Sequence, residues 1–253
     1  MKSQKNSYHC GYTVYGDETV NPQEQSEGDT KEGYYITTET FEESRNVWPS
    51  HELLPEWKET MVRYHQQCSL LGYQLAKLIF QCYNLSDELF HSCFDNPTAL
   101  LRLLRYGKVL SDPSQGRYGT GPHTDYGLLT ILATQSNQPG LEIFYNSEWI
   151  PVTPQDPSWL IINLGDSLQR LSNNTLHSTL HRVIISETQQ YRYSIPFFYE
   201  PNNETVISCL DQFVSSDHPP QYEPIKYGDY LQWKYDITNT EKIGMKQLNE
   251  EGG

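Results

Sequence analysis

The sequence predicts a mainly β domain in which helices pack on a β-sandwich. After Pro97, short stretches with the composition of strands follow one another, separated by clusters of Gly, Pro, Asn and Asp. Before Pro97, apolar residues recur instead at three- and four-residue steps, which is the spacing of an amphipathic helix. Many short strands with close turn signals are typical of a sandwich or barrel. The 253 residues are enough for one such domain.

The helical part is predicted between Pro55 and about Asn84. Its apolar positions share one helical face, and they are Trp57, Met61, Tyr64, Cys68, Leu71, Leu75, Leu78 and Cys82. A second, shorter helix is predicted to start at Ser86, because SDEL offers an N-cap with acids in the first turn. Residues 1 to about 33 are polar and acidic, so we expect an irregular lead-in, followed by a short strand at GYYIT (33–37).

The predicted strands have β-branched or aromatic residues and are bounded by turn signals. In chain order they are LRLLRY at 101–106, LLTILAT at 128–134, LEIFY at 141–145, EWIPV at 148–152, WLIIN at 159–163, HSTLHRVII at 177–185 and RYSIPFFYE at 192–200.

The net charge indicates which classes of binding partner are excluded, and the cysteines indicate which cellular compartment is favoured. A formal net charge of -14 repels phosphate backbones and anionic lipid surfaces, so we expect neither a nucleic acid nor a membrane as partner. No apolar run approaches the length of a membrane span, and the first residues lack the apolar segment of a signal peptide. The five cysteines form no CxxC pair, which favours reduced thiols and a cytoplasmic location. The oligomeric state leaves no signal in the sequence.

His123 and Asp125 lie two residues apart in GPHTDYG, at the entrance to a predicted strand. In an extended segment, residues i and i+2 point to the same face, so the imidazole and the carboxylate converge. This pair is half of a possible site for a divalent transition metal. By itself the spacing is weak, since two ordinary polar residues at a strand entrance show it as well.

A further ligand has to come from another strand, and LHSTLHRVII contains His177 and His181. In a helix the two would lie side by side, but the β-branched alternation indicates a strand. Four residues of strand span about 13 Å, so only one of the two histidines can bind the same metal. Two histidines and one carboxylate are the ligand set of non-haem Fe(II) oxygenases.

Arg192 and Ser194 also lie two apart on one strand face. The planar fork of an arginine suits bidentate binding of a carboxylate, and a serine hydroxyl beside it adds a hydrogen bond. Alone, the arginine could equally pair with a local acid at a sheet edge.

Together these motifs carry a family resemblance. The order HxD, HRV and RxS, with residues 126–180 between the first two motifs, resembles the Fe(II)- and 2-oxoglutarate-dependent dioxygenases of the isopenicillin N synthase-like superfamily. The same resemblance extends from about residue 10 to 235, and its other segments are GDTKEGYYI at 28–36, LRLLRY, PHTDYGLLTIL at 122–132, and the stretch from WIPV at 149–152 through GDSLQRLSNNTLHSTLHRV at 165–183.

The resemblance implies a double-stranded β-helix, or cupin-like jelly roll, with packed helices. It assigns His123, Asp125 and His181 to Fe(II), leaving His177 outside the ligand set. It also assigns Arg192 and Ser194, with Tyr106, to the cosubstrate 2-oxoglutarate. Within a single domain of residues 1–253, we expect helical support and lead-in in 1–100, the jelly-roll core with the site in 101–200, and a C-terminal segment in 201–253. Segments that usually open the family, of the IPVIDL and GFFY kinds, are not found before residue 10, so we expect a shortened N-terminal region.

The family's reaction implies oxidation of a C–H bond of a small molecule by O2, by hydroxylation, desaturation or ring closure. This oxidation is coupled to decarboxylation of 2-oxoglutarate to succinate and CO2. Four aromatic residues are candidates for pocket walls, namely Tyr126, Phe197, Phe198 and Tyr199, although aromatic residues in strands more often belong to the core. The NLGD turn, which contains Asn163, is predicted to be scaffold. Two alternatives stay open: an oxidase of the same fold that uses no keto acid, and a catalytically idle jelly-roll binding protein.

Overall fold

The fold is built from two antiparallel sheets, seen in a computed structural model that describes residues 4–6, 9–38, 45–186 and 190–238. The strands are β1 (Gln4–Lys5), β2 (Gly11–Thr13), β3 (Lys31–Thr37), β4 (Thr98–Tyr106), β5 (Thr120–His123), β6 (Leu129–Thr134), β7 (Leu141–Tyr145), β8 (Glu148–Pro151), β9 (Ile161–Leu164), β10 (His181–Val183), β11 (Arg192–Glu200), β12 (Val206–Ile207) and β13 (Ile225–Lys226). The helices are α1 (Trp57–Cys82), α2 (Asp87–Phe94), α3 (Asp166–Leu171) and α4 (Tyr227–Thr238).

The larger sheet has the order β1-β2-β3-β4-β11-β6-β9, and the smaller has the order β5-β10-β7-β8. The chain therefore crosses between the sheets repeatedly, since β5 and β6, or β9 and β10, are neighbours in sequence but belong to different sheets. This arrangement is the double-stranded β-helix, so the predicted fold class is confirmed. Strands β12 and β13 form a separate small ribbon.

The main apolar core lies between the larger sheet and the helices. Helix α1 packs its buried face on β11 and β6. At Gly72 the helix backbone comes so close to β11 that an added Cβ would lie 2.7 Å from the ring of Tyr199. Alternation along β11 sends Phe197 and Tyr199 into this core, where both are almost fully buried. The opposite face of the same strand is left to line the space between the two sheets.

The predicted helices agree closely with α1 and α2. Ser86 caps α2, because its Oγ accepts a hydrogen bond from the backbone N–H of Leu89 at 3.1 Å. Helices α3 and α4 were not predicted. Helix α3 has only six residues and begins two residues after β9 ends, and α4 alternates polar and aromatic residues without a clear apolar stripe. Strands β1 and β2 lie in the polar lead-in that we expected to be irregular.

The strand predicted at 177–185 is shorter in the structure. Only His181–Val183 is strand, while residues 177–180 approach it without ladder pairing. No helix in the described part of the chain is both long and apolar enough to cross a bilayer.

Candidate metal and cosubstrate site

Strand pairing brings the two halves of the predicted ligand set together. In the smaller sheet, β10 pairs with β5 so that His181 lies directly opposite His123. Asp125 follows two residues after β5 ends. Its Oδ1 lies 3.8 Å from Nε2 of His123 and 3.7 Å from Nε2 of His181. The three ligand atoms lie within 4.8 Å of one another, close enough for one ion to contact all three.

Hydrogen bonds orient each of the three side chains. Nδ1–H of His123 donates to the carbonyl of Gly121, and Nδ1–H of His181 donates to the carbonyl of Thr179, both at 2.8 Å. Each Nε2 is therefore left as the free ligand atom. Each carbonyl belongs to the residue two positions before its histidine, so the local extended backbone alone sets this orientation.

The carboxylate of Asp125 is held by two donors that act on its other oxygen. Oδ2 accepts hydrogen bonds from Oγ1 of Thr130 at 2.6 Å and from Nδ2 of Asn163 at 2.7 Å. Oδ1 consequently faces the two imidazoles. Asn163, predicted to be scaffold, is thus a supporting residue of the candidate metal site, and Thr130 was not singled out in the sequence at all.

Burial also favours the protonation states that a metal requires. Desolvation and the neighbouring His181 imidazole lower the pKa of His123 to about 3, so this ring is neutral at pH 7. Desolvation by itself raises the pKa of Asp125, but the imidazoles and the donors on Oδ2 outweigh it and lower the pKa. A neutral imidazole and an ionised carboxylate are the forms that bind a divalent cation.

His177 lies away from this cluster, with its side chain exposed. It precedes β10, in the segment without ladder pairing. The geometry therefore distinguishes the two histidines, which periodicity alone could not do.

Arg192 stands at the start of β11, opposite Tyr106 of β4. Its side chain is only 4% exposed, and its guanidinium carbon lies 5.0 Å from the centre of the Tyr106 ring. Nη2 donates to Oγ1 of Thr134 at 3.2 Å, whereas Nε and Nη1 are buried without a hydrogen-bond partner among the described residues. Since a buried, incompletely paired guanidinium is costly, this place fits an anionic ligand.

Ser194 lies two residues further along β11 and is 4% exposed. Together with Tyr106 and Arg192, it lines the same cavity as the three metal-ligand candidates. The cavity lies between the two sheets and has a volume of about 130 Å³. The structure therefore brings all six predicted site residues to one cavity between the two sheets.

The predicted pocket walls divide into two groups. Tyr126 and Phe198 line the cavity. Phe197 and Tyr199 do not, because they point to the opposite face of β11 and pack in the core beneath the helices. The period of two along a strand explains this division, and it was already visible from the positions of Arg192 and Ser194.

Charged residues that the sequence did not single out also line the cavity: Glu18, Lys31, Arg102 and Glu200. Glu200 has the same parity along β11 as Arg192 and Ser194, a signal that could have identified it. For Glu18 there is no comparable signal, since it lies in the polar lead-in outside any named strand.

Comparison with known proteins agrees with this geometry. The family model described as the 2OG-Fe(II) oxygenase superfamily matches residues 97–201. Azadirone synthase LFS of Melia azedarach is 30% identical over 238 residues, which cover 86% of this chain and 69% of that protein. A full-length Neurospora crassa protein, crystallised in complex with alpha-KG, has a TM-score of 0.77 at 31% identity, covering 91% of this chain and 74% of that one. The chain belongs to the 2OG-Fe(II) oxygenase superfamily.

Other relatives are longer than the part they share with this chain. Kihadalactone A synthase LFS of Citrus sinensis is 35% identical over 194 residues, which cover 74% of this chain and 57% of that protein. Jasmonate-induced oxygenase 2 of Arabidopsis thaliana is 33% identical over 187 residues, covering 73% of this chain and 49% of that protein. The chain thus spans about half the length of these two relatives.

Proposed function

We propose that this protein is an Fe(II)- and 2-oxoglutarate-dependent oxygenase that oxidises a C–H bond of a small molecule. One observation carries the proposal. The three convergent ligand atoms of His123, Asp125 and His181 line the same cavity as the buried, partly unpaired guanidinium of Arg192. Two histidines and one carboxylate form the facial ligand set of non-haem iron, which leaves three coordination positions open.

The proposed roles of the residues follow from their positions. His123, Asp125 and His181 hold the iron, and the carbonyls behind the two histidines keep each Nε2 directed at it. Iron(II), when bound, supplies O2 activation coupled to decarboxylation of 2-oxoglutarate to succinate and CO2.

Arg192 binds the distal carboxylate of 2-oxoglutarate, and Ser194 and Tyr106 add hydrogen-bonding groups beside it. Val183, Leu104 and Leu132 supply apolar wall in the same cavity. A largely apolar enclosure excludes water and strengthens the charge pairing between the guanidinium and the carboxylate.

The relatives support this cosubstrate pair. One structural neighbour, at 28% identity and a TM-score of 0.73, is JOX2 in complex with 2OG, Fe and JA. The Neurospora crassa neighbour was crystallised with alpha-KG. A neighbour that holds a further small molecule beside 2OG and Fe supports a small-molecule substrate for this chain. A cytoplasmic location stays a prediction; it is compatible with five free cysteines.

The test is an anaerobic titration. Protein with Fe(II) is titrated with 2-oxoglutarate, and we expect a weak visible metal-to-ligand charge-transfer band, because the keto acid chelates the iron through two of the open positions. Air is then admitted, and succinate formed is compared with 2-oxoglutarate consumed.

The outcomes distinguish the three functional hypotheses: the oxygenase, the same-fold oxidase that uses no keto acid, and the idle binding protein. The band together with stoichiometric succinate supports the oxygenase. Bound iron without the band overturns the cosubstrate assignment and favours a same-fold oxidase. Failure to bind iron at all favours an idle jelly-roll binding protein.

A further inference from the structure

The part of the cavity away from Arg192 contains a second set of polar groups. Glu200 closes this end of β11, and Arg102 of β4 lines the same space. None of the proposed roles in iron or 2-oxoglutarate binding involves either residue. Nε of Arg102 and Oε2 of Glu200 are buried without a hydrogen-bond partner among the described residues, so this end of the cavity fits a polar ligand.

Glu200 is a buried carboxyl group that no cation among the described residues pairs with. The residue is 4% exposed, and its Oε2 has no hydrogen-bond partner in that same part of the chain. Room for the side chain comes from Gly127, where an added Cβ would overlap Cγ of Glu200. Burial raises the pKa of Glu200 to about 7, against opposing effects of nearby Tyr227 and Arg102.

Arg102 is held in position mainly by aromatic rings. Its guanidinium carbon lies 4.3 Å from the centre of the Tyr35 ring and 5.2 Å from that of Phe198. A carboxylate oxygen, Oε2 of Glu18, is 3.7 Å from Nη1, too far for a hydrogen bond. Glu18 is itself shared with Lys31 at 3.7 Å and Lys5 at 3.3 Å, so it does not neutralise Arg102 alone.

Phe198 lies on β11 two residues before Glu200, its ring faces the guanidinium of Arg102 on β4, and it lines the cavity. A planar molecule resting on this ring would have a cationic donor on one side and a carboxyl on the other. The carboxyl accepts a hydrogen bond in either protonation state.

We propose that Arg102 and Glu200 select a neutral substrate that carries an amide or lactam, whose carbonyl accepts from Arg102 and whose N–H donates to Glu200. This substrate class rests on the proposed oxygenase function. A substrate carboxylate at the same place offers no donor to the ionised form of Glu200, and an amine cation meets the charge of Arg102. Either ligand leaves a buried polar group of the cavity without a hydrogen-bond partner. Because this is costly, the affinity for a lactam should exceed the affinity for a carboxylate or an amine by a large factor.

The experiment uses full-length protein loaded with Fe(II) and 2-oxoglutarate under anaerobic conditions, at a pH above the Glu200 pKa of about 7 so that this carboxyl is ionised. The lactam probe is 2-pyridone, and benzoate is the carboxylate of similar size. Affinities are measured by calorimetry for the wild type, Glu200→Leu and Glu200→Gln. We expect the wild type to bind 2-pyridone at least about tenfold tighter than benzoate. Glu200→Leu should lose about tenfold or more for 2-pyridone, whereas Glu200→Gln, which keeps a donor and an acceptor, should stay within about threefold.

Glu204→Leu is the matched control, since Glu204 is 81% exposed and pairs with Lys226 on the surface. It should leave both affinities unchanged. Equal affinity for the two probes, no detectable binding of 2-pyridone, or full affinity in Glu200→Leu would overturn the proposal. Iron and 2-oxoglutarate binding are measured in the same samples. If they persist while the lactam preference is absent, only this proposal fails; if they are absent, the oxygenase function fails as well.

Discussion

Replacing Arg192 by Met tests the cosubstrate pocket most directly. Met fills a similar volume without charge, so the cavity keeps its wall while losing the guanidinium. The guanidinium of Arg192, whose Nε and Nη1 lack a partner among the described residues, is the group assigned to the distal carboxylate of 2-oxoglutarate through two parallel hydrogen bonds. Hydrogen bonds to charged groups contribute about 1.5–3 kcal/mol each. Two of them correspond to about 3–6 kcal/mol, or an affinity roughly 10² to 10⁴ times weaker.

The assay is the anaerobic titration of Fe(II)-loaded protein with 2-oxoglutarate, followed by its visible band. We expect the dissociation constant to rise by at least about a hundredfold in Arg192→Met. Iron affinity should remain, because Arg192 contacts none of the three metal-ligand candidates. The free energy of unfolding without cosubstrate should not fall, since removing an incompletely paired buried charge is neutral or stabilising.

Arg105→Met is the matched control. Arg105 is adjacent to Tyr106 in β4 and lies opposite Tyr193, but its side chain is 43% exposed and pairs with Glu32 outside the cavity. Its substitution should leave the 2-oxoglutarate affinity unchanged. Wild-type affinity in Arg192→Met, or an equal loss in Arg105→Met, would refute the assignment.

Three further outcomes are expected. His181→Ala should abolish stoichiometric Fe(II) binding, while His177→Ala, in an exposed position, should bind iron like the wild type; the reverse pattern in metal analysis would show that the wrong histidine was assigned. Thr130→Val removes the 2.6 Å hydrogen bond to Oδ2 of Asp125 and should weaken Fe(II) binding about 10- to 100-fold, and an unchanged affinity in a chelator competition would contradict the supporting role. The pKa of Glu200, about 7 in the folded protein against an ordinary 4.5, means that burial of this group costs stability as pH rises from about 4.5 to 7. In denaturant unfolding, the free energy of unfolding of Glu200→Gln relative to that of the wild type should therefore rise by up to about 3 kcal/mol over that pH range. A difference between the two proteins that does not change with pH would disprove the raised pKa of Glu200.

Much of the site was predictable because its motifs are local. His123 with Asp125, and Arg192 with Ser194, are each two residues apart, and the period of a strand brings such pairs to one face wherever the strand lies. Helix α1 was predictable for the same reason, since its apolar residues recur with the period of a helix over 26 residues. Short-range geometry of this kind is independent of the rest of the fold.

The sequence by itself therefore predicted the fold class, the long helix and the residues of the candidate metal and cosubstrate motifs. The tertiary structure alone decided how His181 lies opposite His123, and which charged residues line the far end of the cavity. The pairing of β4 with β11 places Arg102 and Glu200 on the wall of one cavity, and Glu18 reaches it from a segment that precedes both strands and helix α1 in the chain. Contacts between residues that are distant in the sequence depend on strand register and on how distant segments pack together. Packing of the whole core sets both, and no local spacing in the sequence does.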